Sequence, residues 1–84
     1  MKNCVITFRS VTPAQRGEQT LKKYGCRCTL MRTPRWMQEQ GCGYSLRLSC
    51  EDVEEAVALL RRYAIGFRKI YRFGDGETLE EMTL

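Results

Sequence analysis

Residues 49–66 constrain the fold of this chain more than any other stretch. Ser49-Cys50-Glu51-Asp52 reads as a helix cap with acids in the first turn. Val53, Ala56, Val57, Leu60, Tyr63 and Ala64 then recur at helical spacing. Arg61 and Arg62 close the pattern where the helix dipole favours cations, and Gly66 is the expected stop. A helix with one apolar stripe must lay that stripe on another element. In a chain of 84 residues, only one compact core is available, because a domain of this size buries about 60–65% of its unfolded surface.

The partner elements alternate rather than recur at helical spacing. Residues 4–8 put Cys4, Ile6 and Phe8 on one strand face and Val5 and Thr7 on the other. Thr12 is the expected N-cap of a first helix, with Pro13 at its first position and Gln15 completing a capping box. Ala14, Gly17, Leu21 and Tyr24 share one side of that helix, and Gly25 ends it. Residues 26–31 alternate again, with Cys26, Cys28 and Leu30 together. Thr33-Pro34 is expected to start one helical turn through Met37, carrying Trp36. Residues 44–48 form a third strand with Tyr44, Leu46 and Leu48 inward and Ser45 and Arg47 outward. Residues 67–73 form a fourth strand.

Strand, helix, strand, strand, helix, strand predicts an α+β fold: a ferredoxin-like βαββαβ sandwich. Its four-stranded antiparallel sheet is expected in order 4-1-3-2, with both helices on one face. Residues 1–74 make the domain; residues 75–84 are an acidic tail expected to be flexible.

Five cysteines and no histidine bound the chemistry. Without histidine there is no Ser-His or Cys-His nucleophile pair and no His-containing metal site. The start at Met1 runs straight into a strand pattern, and no apolar run approaches a membrane span, so a cytoplasmic protein with reduced thiols is expected. The odd cysteine count argues against a full disulfide framework. A three-cysteine metal site at the Cys4, Cys26, Cys28, Cys50 end lacks the usual paired spacing, and neither metal nor cofactor is expected.

One thiol stands apart. Cys42 lies between Gly41 and Gly43, behind Thr33-Pro34-Arg35 and in front of the third strand. Flanking glycines let other groups approach the sulfur and free the backbone to turn its N–H groups toward a thiolate. Arg9, Arg32 and Arg35 belong to the same sheet end as the first helix start, and positive charge lowers a thiol pKa. The alternative is a tight turn that happens to contain a cysteine, with Arg35 paired to Glu39.

The chain resembles the selenium/sulfur carrier-like family across residues 4–73. The resemblance rests on Val5-Ile6-Thr7-Phe8 before a Ser-initiated helix, on Thr33-Pro34-Arg35, on Cys42-Gly43 leading into a strand, and on Phe67-Arg68-Lys69-Ile70-Tyr71. Family members often carry a Ser-rich lead into Cys-Gly; here it is Met37-Gln38-Glu39-Gln40-Gly41. The resemblance implies a protein co-substrate rather than a turnover enzyme. Its Cys42 would hold a persulfide or selenosulfide, received from a cysteine desulfurase and delivered to an unidentified acceptor.

Two rival readings follow from the residues. Arg27, Arg47, Arg68 and Arg72 offer a basic stripe for RNA on the open sheet face. The outward positions Val5, Thr7, Ser45 and Arg47 give no aromatic stacking platform, so nucleic acid is not the expected partner. Val5, Met31 and Ile70 on that face suggest a homodimer contact, as in a ferredoxin-like binding or oligomerisation module.

Overall fold

A computed structural model describes residues 3–34, 43–73 and 79–84. Strand β1 is Asn3–Phe8, helix α1 Val11–Lys23, strand β2 Cys28–Arg32, strand β3 Tyr44–Ser49, helix α2 Val53–Arg62, strand β4 Ile70–Phe73 and strand β5 Leu79–Met82. A 3₁₀ turn, Cys50–Asp52, joins β3 to α2. The strands form one antiparallel sheet in the order β2-β3-β1-β4-β5. The sheet therefore has five strands, not the expected four. Part of the supposed flexible tail pairs with β4 as an edge strand.

Alternation in β1 places its residues as the sequence predicts. Cys4, Ile6 and Phe8 are fully buried beneath the helices, with Leu46 and Leu48 of β3, Leu21 of α1, and Val53, Val57 and Leu60 of α2. Each large apolar side chain buried this way contributes about 1.5–3 kcal/mol. Gly17 lets α1 sit close to the sheet. A Cβ there would meet Leu46 Cδ1 and Leu60 Cδ2 at 3.2 Å and Phe8 Cζ at 3.3 Å.

Several boundaries differ from expectation. Ser10, not Thr12, is the N-cap of α1: its backbone is extended, and no capping-box bond forms from its side chain. Strand β2 starts at Cys28 rather than Cys26, because Cys26 completes the end of α1. There the Cys26 N–H donates to Leu21 O at 2.9 Å and the Gly25 N–H to Lys22 O at 3.0 Å, with Gly25 at φ 81°. Helix α2 closes with the same pair of bonds, Ile65 N–H to Leu60 O at 2.8 Å and Ala64 N–H to Arg61 O at 3.2 Å. The stop is thus Ala64, at φ 55°, and not Gly66. Strand β4 is shorter than residues 67–73, because Arg68 and Lys69 bond to the Thr7 backbone before the ladder begins. The helical turn expected through Met37 lies outside the described residues.

The sheet face opposite the helices is covered at its centre. Val5 is 0% exposed and packs with Tyr71 and Met31, while Thr7 and Ser45 are also buried. Ser45 faces away from the helices as expected, cross-strand from Thr7 and Met31, yet it is buried there and its hydroxyl bonds to Thr33 Oγ1 at 2.6 Å. Ile70 lies in the helix-side core, so the expected dimer contact of Val5, Met31 and Ile70 does not exist as one exposed patch. The basic stripe breaks up likewise: Arg72 pairs with Cys4 in register, on the helix side, and forms an ion pair with Glu80. Among the described residues, no helix is long and apolar enough to cross a membrane.

Candidate functional site

The antiparallel register brings three strand ends together. Phe8 at the end of β1 faces Tyr44 at the start of β3, and Arg32 at the end of β2 faces the same Tyr44. Ile70, the first residue of β4, faces Ile6. Gly43 enters β3 at this end. Its carbonyl accepts the Thr33 N–H at 3.1 Å, and the buried Thr33–Ser45 hydroxyl bond reinforces that tie. Residues 34–42 connect these two anchored positions. Cys42, Gly41 and Arg35 lie outside the described residues.

The φ of Gly43 is not in the left-handed region, and a Cβ added there would meet nothing within 4 Å among the described residues.

The surroundings of Gly43 are basic. Arg9 and Arg32 are exposed at this end, and the Arg32 guanidinium lies 5.7 Å from the Tyr44 ring centroid. Lys69 pairs with Glu81 at 3.2 Å, but Arg9 and Arg68 form no ion pair among the described residues. Arg9, Pro13, Gly66, Phe67 and Arg68 line a cavity of about 290 Å³ at the start of α1. The first-turn N–H groups of α1 have no side-chain cap from Ser10; such a helix start carries partial positive charge. Sequence reasoning found Arg9 and Arg32 here but assigned Arg68 to the open sheet face and missed Phe67. The signal was available in the topology: a strand antiparallel to β1 must be led in by residues beside the β1 terminus.

The other four cysteines gather at the far end of the sheet. Cys4 and Cys50 form a disulfide, with Cα atoms 5.0 Å apart across a sequence separation of 46. This overturns the expectation that all five thiols are reduced. It follows from register: Cys4 faces Leu48, two residues before Cys50, and the 3₁₀ turn at Cys50 folds back toward β1. Cys26 and Cys28 are free and buried. Burial pushes the Cys26 thiol up to about 11, helped by the negative charge of Asp52, by Cys28 and by Glu55. Burial also raises Cys28, with Glu18 adding to it and Lys22 opposing. Both are therefore poor nucleophiles at neutral pH, since the thiolate is the reactive form. Among the described residues, no group of three or more Cys, Asp or Glu is arranged to hold a metal ion.

The fold and its chemistry define a class: a small α+β domain with two helices against an antiparallel sheet, a basic end leading into a Cys-Gly strand start, and its other cysteines withdrawn at the opposite end. The chain belongs to the family described as "Putative Se/S carrier protein-like", whose model matches residues 3–72. No curated protein and no solved structure matches the chain.

Proposed function

We propose that this protein carries sulfur or selenium on Cys42, as a co-substrate between a cysteine desulfurase and an acceptor protein. The observation that carries this reading is the family match, which runs through the Cys42-Gly43 lead into β3. The basic environment of Gly43 and the two withdrawn thiols support it. We read β1 through β4 with the two helices as a ferredoxin-like βαββαβ unit, to which β5 adds an edge.

In this reading the Cys42 thiolate attacks the outer sulfur of a desulfurase persulfide. A sulfur–sulfur bond forms on Cys42 while the bond to the enzyme sulfur breaks, and the enzyme cysteine leaves as thiolate. Delivery reverses the roles: an acceptor nucleophile takes the outer sulfur and Cys42 departs as thiolate. Selenium follows the same path as a selenosulfide. In this reading Arg35 is the cation that favours the charged form of the thiol.

Alkylation at limiting reagent, mapped by peptide mass, tests the site. Cys42 is labelled before Cys26 and Cys28, and Arg35→Ala shifts the pH dependence of Cys42 labelling upward. Labelling of Cys26 or Cys28 first removes Cys42 as the presented thiol. Coincident pH profiles for wild type and Arg35→Ala remove Arg35 from the site. A domain that binds its partners without any reactive Cys42 is then the surviving reading.

A further inference from the structure

The Cys4–Cys50 bridge lies at the opposite end of β3 from Gly43. Seven residues of extended chain separate the two ends by about 23 Å, at roughly 3.3 Å per residue. Carriage on Cys42 makes no use of it. The two sulfurs of the bridge have unlike surroundings. Cys4 is 0% exposed in the central strand of the sheet, whereas Cys50 is half-buried at the first residue of the 3₁₀ turn.

Two further features concern what happens if the bridge opens. Cys4 Sγ lies 3.6 Å from Met82 Sδ on β5. A disulfide sulfur has no proton to donate, so in the bridged form this is a sulfur–sulfur contact only. Once released as a thiol, Cys4 has an acceptor already beside it. Secondly, β1 is paired on both sides, to β3 and to β4. Opening the bridge therefore separates no strands.

We propose that Cys4–Cys50 is a thiol–disulfide exchange site, in which Cys50 meets an external dithiol and Cys4 is the buried leaving sulfur. One thiolate of the dithiol attacks Cys50 Sγ. The Cys4–Cys50 bond breaks as the mixed disulfide forms, and Cys4 leaves with the electron pair and takes a proton. The second thiol of the reductant then attacks the mixed disulfide at the reductant's own sulfur and frees Cys50 as a thiol. Two electrons and two protons pass to the protein, and the reductant ends as a disulfide. Cys26 and Cys28 do not compete, because both are buried and held protonated. Glu51 and Asp52 of the 3₁₀ turn and Glu54 and Glu55 of the first turn of α2 put four negative charges within five residues of Cys50. The chemistry thus favours a reductant that is neutral or cationic near its reactive thiol over an anionic monothiol such as glutathione.

The test uses the full chain. Protein purified without reductant is unfolded and alkylated, and peptides bearing residues 4 and 50 are expected to remain linked while the other three cysteines are modified. Five alkylated cysteines would overturn the proposal at once. Folded protein is then exposed to dithiothreitol or to glutathione at equal thiol concentration. Dithiothreitol is expected to open the bridge at least tenfold faster, with the helix signal retained in circular dichroism. A bridge that opens only as the protein unfolds would make it purely structural and contradict the proposal. Finally, Cys4→Ala and Cys50→Ala each leave one sulfur free. Cys50 in the first variant is expected to react with 4,4′-dithiodipyridine at least tenfold faster than Cys4 in the second. The reverse order, or equal rates, would overturn the assignment of Cys50 as the attacked sulfur.

Discussion

Ala64 holds a backbone conformation that a side chain disfavours. Its φ of 55° is set by the two hydrogen bonds that close α2, together with the burial of Ile65 against the helix. Gly25 performs the same task after α1 without the Cβ penalty. Ala64→Gly is therefore expected to stabilise the protein by about 0.5–1 kcal/mol, the left-handed penalty less the added freedom of the unfolded chain; the midpoint of urea unfolding measures it. The sequence pointed to Gly66 because glycine is the usual helix stop. The stop is in fact fixed by which N–H reaches the Leu60 carbonyl, and residue type alone does not show that. Cys26 gives a second prediction at this scale. Its folded pKa is raised from 9.0 to about 11, so the unfolded chain loses the proton first. Its contribution is fully present below pH 9 and is lost as pH rises toward 11, at up to about 1.4 kcal/mol per pH unit. Urea midpoints across that range should fall, and Cys26→Ala should flatten the fall.

At the scale of elements, α1 is held against the sheet by the absence of a side chain at Gly17. Alanine would improve helix propensity by about 1 kcal/mol. Its Cβ would nevertheless press on three buried side chains, from β1, β3 and α2, at 3.2–3.3 Å. Overpacking of this kind costs about 1–3 kcal/mol, so Gly17→Ala is expected to destabilise by about 1 kcal/mol net; a gain in the thermal midpoint would mean the core yields there. The place of Gly17 on the same side of this helix as Ala14 and Leu21 was legible in the sequence, as were the facing of β1 and the apolar stripe of α2, because each rests on one element's own periodicity. Strand β5 was not legible. Its Glu80 and Glu81 suggest a solvated tail, and only β4 and the residue leading into it answer their charge, through Arg72–Glu80 and Lys69–Glu81. The facing of Ser45 was legible but its burial was not, for the same reason: its partner, Thr33, comes from another part of the chain.

Across the whole molecule, the cysteines of the described residues gather at one end of the sheet, and the strand ends that flank Cys42 in sequence lie at the other. The sequence already grouped Cys4, Cys26 and Cys50 away from Cys42. It did not reveal the bridge, since an odd cysteine count argued for free thiols and the pairing depends on the turn at Cys50. The bridge links positions 46 residues apart, a loop closure that contributes about 4 kcal/mol in the chain-entropy account. Reduction, or Cys50→Ala, is expected to lower unfolding free energy by about 2–4 kcal/mol. The native helix signal should persist, because the core around Leu21, Leu46 and Leu60 is untouched. At the other end, Thr33 and Gly43 hold fixed the strand ends between which Cys42 lies in sequence. The account of function stands on that thiol.

The most direct measurement is intact mass after incubation with a cysteine desulfurase and either cysteine or selenocysteine, on wild type and on Cys42→Ser. The account predicts that wild type gains one sulfur or one selenium atom. The added atom maps to the peptide containing Cys42 and is removed by reductant. Cys42→Ser gains nothing. Failure of wild type to gain either atom from either donor, or an equal gain in Cys42→Ser, would contradict carriage on Cys42.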